Sequence, residues 1–304
     1  MLSTPTLPAT PVWQTTRFLI DLSRPRVMGI VNVTPDSFSD GGAHADARSG
    51  MAHCEKLVRD GADILDIGGE STRPGAPTLS ADEEWARVGE VLKGAVTLGV
   101  PVSIDTCKTE VMRRALDLGV DIVNDVRALA DAGAEALVAA HARCGVCLMH
   151  MQGSPSTMQE RPSYTDIVAE VRGFLAARAG ALIAQGVARE RITLDPGYGF
   201  GKTPEHNLAL WHAESQLREL GWPLLVGWSR KSTLGHITGR PVGERLVASV
   251  AAALASLHKG AAVVRVHDVA ETVDALKVWQ AAGLLPASPA GCASVVQTER
   301  QSAP

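Results

Sequence analysis

Several things are scarce in this sequence, and each scarcity closes off a class of protein. Charge of one sign is scarce: 29 Lys and Arg face 33 Asp and Glu, leaving a net charge of −4. With the bases scattered along the chain, no nucleic-acid surface follows, so any anion must be held locally by a few placed residues. Cysteine is scarce as well. The five residues Cys54, Cys107, Cys144, Cys147 and Cys292 are an odd number at no disulfide-scaffold density, which points to a reducing cytosol. Long apolar runs are missing: the stretch 246–257 covers only about 12 residues before His258-Lys259, too short for a bilayer. Residues 1–14 also lack a basic segment followed by an apolar core, so they do not read as a secretory signal. The expectation is a soluble, cytoplasmic protein.

What is present suits a large core. Hydrophobic residues make up 45% and charged residues 20% of 304 positions, enough for one α/β barrel treated as a single domain. From residue 26 one unit recurs: a short β-rich run, a loop, an amphipathic helix and a brief turn. The strand candidates are 27–32, 63–68, 102–105, 122–124, 146–150, 192–195, 224–228 and 263–267. They are continuously apolar, as parallel strands buried on both faces should be. Helical patterns, for example 81–97, 109–118, 167–185 and 244–258, fall between them. Eight strands alternating with helices predict a (β/α)₈ TIM barrel over residues 15–285, although periodicity alone leaves closure open. The segments 1–14 and 286–304, rich in Pro, Ser, Thr and Ala, read as flexible tails.

Loop lengths distinguish the two ends of the barrel. Helix-to-strand turns are tight and carry Gly61, Gly99, Gly119, Gly221 and Gly260 near helix ends, where a left-handed cap is expected. Three strand-to-helix loops, at 33–45, 69–80 and 151–164, reach the length at which loops usually carry function. In this fold such loops surround the site.

Polar residues stand where the apolar strands end: Asn32, Asp66 with Glu70, Asp105, Asn124, His150, Asp195, Ser229-Arg230-Lys231, and Arg265 with His267. A barrel sets them around one rim, within reach of one ligand. Burying so many polar groups is unfavourable unless they pair with each other or with that ligand. Acids on the third and sixth strands and bases on the last two suggest a ligand with donors at one end and negative charge at the other. Arg265 and His267 alternate on one strand and so share a face; a guanidinium fork beside an imidazole suits a phosphate, though an ion pair with Asp268 or Glu271 is the other reading. The run 197–203 is short of a Walker loop by one residue and reads better as a flexible rim loop carrying Phe200. His141, Cys144, Cys147 and His150 invite a metal reading, but buried structural thiols explain them more simply, and Cys107 reads as a packing residue.

These motifs resemble the signatures of the dihydropteroate synthase family. The segment 28–42 (MGIVNVTPDSFSDGG) is similar to the family's first signature and 69–75 (GESTRPG) to its second. SIDT at 103–106, VND at 123–125, LMHMQG at 148–153, LDPGYGFGK at 194–202, SRKS at 229–232 and RVHD at 265–268 follow in the family's order, so the resemblance spans about residues 26–282. It implies condensation of 6-hydroxymethyl-7,8-dihydropterin diphosphate with p-aminobenzoate, giving 7,8-dihydropteroate and diphosphate for folate synthesis. By that resemblance Asp195, Asp105, Asn124, Met149 and Lys231 bind the pterin. Asn32, Arg73, Arg265 and His267 hold the diphosphate, with Asn32 also a ligand of Mg²⁺. Phe38, Asp40, Thr72, Arg73, Pro74, Phe200 and Ser229 form the p-aminobenzoate side, with Asp105, Asp195, Lys231, Arg265 and His267 as the catalytic set. Tyr198, Cys107, Trp228 and Thr233 depart from the commonest family residues, and Trp228 is expected to narrow the pocket. A corrinoid-dependent pterin methyltransferase would share the pterin acids without the Arg265–His267 pair. A non-catalytic barrel need not keep Asn32, Arg265 and His267 together. A homodimer through apolar helices around 247–257 and 273–279 is also expected, although core packing accounts equally well for their composition.

Overall fold

The computed structural model describes residues 11–34, 43–71, 77–155, 157–285 and 295–297. Eight parallel strands form its centre: β3 (Arg26–Asn32), β4 (Ile64–Gly68), β5 (Val102–Asp105), β6 (Ile122–Asp125), β7 (Gly145–Met149), β8 (Ile192–Asp195), β9 (Leu225–Val226) and β10 (Val263–Val266). They pair in chain order from β3 to β8, while β10 pairs with both β3 and β9. A parallel bridge between Leu194 and Leu224 joins β8 to the segment entering β9 and completes the ring. The helices of the repeat cover the outside: α1 (Ala43–Arg59), α2 (Ala81–Ala95), α3 (Thr109–Asp117), α4 (Ala134–Ala140), α5 (Ile167–Ala184), α6 (Pro204–His212), α7 (Glu214–Arg218), α8 (Ser232–Thr238), α9 (Leu246–His258) and α10 (Val269–Ala281).

Local sequence sets these boundaries. Ser80 and Glu83 form a capping box before α2, and Asp166 accepts from the Val168 and Ala169 N–H groups to start α5. The five turn glycines all have left-handed φ, from 77° at Gly99 to 99° at Gly61, as the tight helix-to-strand turns require.

The two faces of each strand do different work. The outward row packs under the helices in one large cluster that includes Val27, Val31, Leu65, Ile104, Val123, Val146 and Val264. The inward row is layered. Near the strand starts Met28, Ile64, Ile122, Cys147, Leu225 and Val263 form an apolar plug. Two residues further along the same rows come Ile30, Asp66, Asn124, Met149, Gly227 and Arg265, since a strand repeats its face every second residue. The inside of the barrel therefore changes from dry to polar within one step of the repeat.

Composition misled the reading of the tails. Val12–Gln14 is a strand, β1, pairing antiparallel with β2 (Phe18–Asp21), and Val295–Gln297 is a strand, β11, on the other side of β2. The ordered unit thus begins before residue 15, and the supposed C-terminal tail includes a strand. Trp13 is fully buried, joins Phe18 and Ile20 in the apolar plug, and donates from Nε1 to the Arg191 carbonyl at 3.0 Å. Arg17 ties the same hairpin to the buried Asp121 at 2.5 Å. This small sheet closes the end of the barrel where the strands start.

Trp13→Ala should lower unfolding stability by about 3–5 kcal/mol, the usual range for emptying a large aromatic site. Denaturant titration checks this, and a midpoint unchanged from wild type would return residues 12–14 to the status of a tail.

Candidate active site

The polar upper layer opens into a cleft with about 390 Å³ of space, lined by Asp105, Asn124, Val126, Met149, Asp195, Gly197, Tyr198, Phe200, Gly227, Lys231 and Arg265. That space is continuous with solvent at the mouth of the barrel. Met149, Phe200, Val126 and Met158 supply an apolar wall, with the half-buried Cys107 and Met151 against it. Lys231 Nζ lies 4.0 Å from the centroid of the Phe200 ring, so the cation covers the aromatic face.

Arg265 stands at the middle. Its Nε donates to Asp66 Oδ2 at 2.5 Å and its Nη2 to Asp105 Oδ2 at 2.6 Å. Asn124 Nδ2 donates to both Asp66 oxygens at 3.2 and 3.3 Å. Asp66 has no exposure, so its charge is compensated entirely inside the protein. The two carboxylates raise the Arg265 pKa even though burial acts to lower it. Burial pushes Asp105 up to about 7 against the pull of Arg265, and Asp195 up to about 6 against the Gly197 N–H and nearby cations. Burial brings Lys231 down to about 8, helped by Arg265. His267, whose pKa burial and Arg230 lower to about 3, is a neutral imidazole; its Nδ1 is 2.9 Å from Ser229 Oγ.

The sequence-derived residues therefore sort into groups. Asp105, Asn124, Met149, Asp195, Phe200, Lys231 and Arg265 meet in one cleft. Ser229 and His267 pair with each other on the neighbouring strand ends. Asn32 ends its strand exposed on the rim, outside the cleft lining. Phe38, Asp40, Thr72, Arg73 and Pro74 lie outside the described residues.

Three rim residues have internal partners instead of facing the ligand space. Asp66 holds Arg265. Glu70 pairs with Lys108, which also reaches the buried Glu84 at 2.6 Å. His150 is buried, with its Nδ1 3.0 Å from Lys202 Nζ. The supposed ion pair of Arg265 with Asp268 is made by Arg230 instead, at 2.5 Å.

Lys202 escaped sequence reading and changes the view of the glycine-rich loop. The Lys202 side chain is buried, and its Nζ is 2.9–3.1 Å from the carbonyl oxygens of Gly197, Phe200 and His150. Gly197, Gly199 and Gly201 take left-handed φ of 69°, 81° and 60°. The expected flexible loop is thus cross-braced around one ammonium. A lysine following a glycine run was the available signal, but only the fold brings His150 to it.

Trp228 does not narrow the cleft. It is one residue out of phase with the inward row of Leu225 and Gly227, so it lies outside the barrel wall, stacked on Tyr198 with ring centres 4.1 Å apart and packed at a tilt against Trp211 at 4.5 Å. Counting by twos from Leu225 would have found this. Tyr198 donates from its hydroxyl to Glu214 Oε2 at 2.8 Å, and Ser256 Oγ donates to the same oxygen at 3.0 Å. The metal reading of His141, Cys144, Cys147 and His150 gains no support: Cys144 and Cys147 are buried free thiols, and the described residues contain no group of three or more candidate metal ligands.

The family model described as pterin binding enzyme matches residues 28–267, which spans the barrel from β3 to β10 with its polar mouth. The dihydropteroate synthase of Neisseria meningitidis serogroup B is 56% identical over 279 residues, covering 90% of this chain and 98% of that protein. The Escherichia coli K12 enzyme is 47% identical over 264 residues, covering 86% and 93%. Among solved structures, Xanthomonas albilineans dihydropteroate synthase with 4-aminobenzoic acid superposes with a TM-score of 0.85 at 47% identity, covering 91% of this chain and all of that one. The Burkholderia cenocepacia enzyme complexed with 7,8-dihydropteroate gives 0.82 at 48% identity, covering 90% and 97%. The chain belongs to the dihydropteroate synthase family.

Glu214 generates a prediction about pH. Burial raises its pKa from 4.5 to about 7 despite the Tyr198 and Ser256 bonds. The folded state therefore keeps a proton that the unfolded state has lost, and this contribution to stability fades as pH rises from 4.5 through 7. Glu214→Gln keeps an oxygen for both donors and should gain about 1–2 kcal/mol over wild type above pH 7, with the difference shrinking towards pH 5. Urea melts across that interval read the trend; an opposite slope would mean Glu214 folds ionised.

Proposed function

We propose that this chain makes 7,8-dihydropteroate with the cleft residues in distinct roles. The reaction is that of its family: 6-hydroxymethyl-7,8-dihydropterin diphosphate and p-aminobenzoate condense and diphosphate leaves. The supporting observation is the convergence of Asp105, Asn124, Asp195, Lys231 and Arg265 on one slot walled by Met149 and Phe200. A pterin presents adjacent N–H donors on its pyrimidinone edge, and Asp195, ionised at neutral pH, accepts two such bonds in parallel. Asp105 and Asn124 take other pterin atoms, Lys231 donates to the acceptor side, and Met149 lies against the ring.

Arg265 and His267 bind the leaving diphosphate. Asp66 and Asp105 use the Nε and Nη2 edges of the guanidinium, and Nη1 has no hydrogen bond to the described residues. In the tautomer where Ser229 Oγ donates to Nδ1, the neutral His267 carries its proton on Nε2 and would offer it to a phosphate oxygen. Departure of diphosphate leaves a methylene cation conjugated with the electron-rich dihydropterin, and the cationic side chains stabilise the charge moving onto the leaving group. The aniline nitrogen of p-aminobenzoate is neutral at pH 7, bonds to the methylene carbon without a strong base, and then loses its extra proton to water or to the departing diphosphate. Phe200 and Ser229 form its pocket, joined by Phe38, Asp40, Thr72, Arg73 and Pro74 from the two long loops.

The donor set also fits Mg²⁺. A metal that keeps most of its water and arrives on a diphosphate needs few protein ligands. The exposed amide of Asn32 is one, and the described residues contain no three-ligand cluster that would form a separate centre. The ion would neutralise the diphosphate charge.

A cytoplasmic homodimer completes the proposal. No helix among the described residues is long and apolar enough to cross a membrane. On α9 the buried row Ser249, Ala252, Ala253, Ser256 and Leu257 packs inward, while Val247 is 79% exposed; Val278 of α10 is 66% exposed. Core packing thus accounts for one face of these helices and not the other, and a twofold interface would cover that other face.

Purified protein given dihydropterin diphosphate and Mg²⁺ should release diphosphate and form dihydropteroate when p-aminobenzoate is added; pterin binding without turnover would favour a methyltransferase or non-catalytic barrel. Arg265→Lys should reduce turnover ~10²-fold or more, since a point charge replaces a fork already shared by two carboxylates. Val247→Asp with Val278→Asp should convert a dimer to a monomer in analytical ultracentrifugation, and an unchanged sedimentation coefficient would rule out this interface.

A further inference from the structure

Lys231 lines the cleft and Ser229, paired with His267, is proposed for the p-aminobenzoate side; the residue between them has an unfavourable backbone. Arg230 has φ of 61°, a left-handed conformation that residues with a β-carbon rarely adopt. Such a conformation persists only where its surroundings determine it. The Arg230 side chain is tied to Asp268 at 2.5 Å, and its backbone is constrained from the start of α9, outside the cleft. The Arg230 N–H donates to Ser249 Oγ at 3.0 Å, and Ser249 Oγ donates in turn to the Arg245 carbonyl at 2.7 Å. Arg245 Nη1 donates to the carbonyls of Arg230 at 3.1 Å and Lys231 at 3.4 Å, while its Nε donates to the Arg240 carbonyl at 3.0 Å. The Arg245 guanidinium lies directly against Gly235 of α8. A β-carbon at that position would come within 2.3 Å of Nη2 and 2.6 Å of Cζ.

We propose that Arg245 and Ser249 are positioning residues that hold Arg230 left-handed and thereby aim Ser229 and Lys231 at the substrates. Relaxing Arg230 to an ordinary negative φ would turn the backbone by about 120° and swing the two neighbours apart. Neither Arg245 nor Ser249 lines the cleft, so their effect is exerted through the loop backbone. The proposal rests on the synthase reading.

Glycine supplies a test that a purely structural role would not pass. It adopts left-handed φ freely, so Arg230→Gly removes the strain that Arg245 is proposed to restrain. Wild-type turnover is measured first; its absence would overturn the synthase reading and not this one. With turnover established, Arg245→Gln should lower kcat/KM by about tenfold or more, and Gly235→Ala should act in the same direction by displacing the guanidinium. In the double variant, Arg245→Gln with Arg230→Gly, activity should return to within about threefold of the Arg230→Gly single variant. Multiplicative losses in the double variant, or an Arg245→Gln enzyme within about twofold of wild type, would overturn the proposal. If Arg245→Gln does not fold, Ser249→Ala combined with Arg230→Gly is read by the same comparison.

Discussion

The charge balance between Arg265, Asp66 and Asp105 governs the rest of the site. A guanidinium and two carboxylates in a barrel interior are stable only as a set, because each unpaired member would face a large desolvation penalty. Asn124 completes the set by donating to Asp66. Pairing also fixes direction: Arg265 is held by two edges, so its plane relative to the cleft does not depend on substrate. Asp105 has one oxygen committed to Arg265 and remains part of the cleft lining. The interaction that stabilises the empty site therefore also preorganises it.

Around this centre two inward-facing lysines, Lys202 and Lys108, act as braces. Lys202 gathers three carbonyls and an imidazole behind the Phe200 loop. Lys108 joins Glu70, at the root of the second long loop, to Glu84 in the wall of α2. Each fixes the base of a loop at the mouth of the barrel.

The barrel and much of its site were legible in the sequence because parallel strands write a simple text: apolar runs, a polar residue at the end, a glycine after each helix. Asp105, Asn124, Asp195 and Lys231 stood out on those grounds. Other features resisted for definite reasons. Strands apolar on both faces conceal which row points inward, so the sequence lets Trp228 narrow the pocket although it lies behind the wall. A polar strand end does not reveal whether its partner is a ligand or a neighbour, so Asp66, Glu70 and His150 were read as rim groups when Arg265, Lys108 and Lys202 occupy them. The strand β1 is hidden among prolines and threonines because three residues are too few for a periodic signal, and its anchor, Trp13, is held partly by a hydrogen bond to the distant Arg191 carbonyl.

The way the ring closes has a consequence for how the protein is made. Strand β3, the first of the barrel, depends for its second neighbour on β10, with Val264 opposite Val27 and Arg265 opposite Met28. A chain emerging from the ribosome therefore carries the backbone edge of β3 unsatisfied until β10, the last strand of the ring, has been made. Exposed strand edges invite pairing with other chains, and contacts between distant segments form slowly. Arg265 arrives on that same late strand. Until it does, Asp66 and Asp105 lack their counter-ion, so the electrostatic completion of the pocket and the mechanical closure of the barrel fall in a single step.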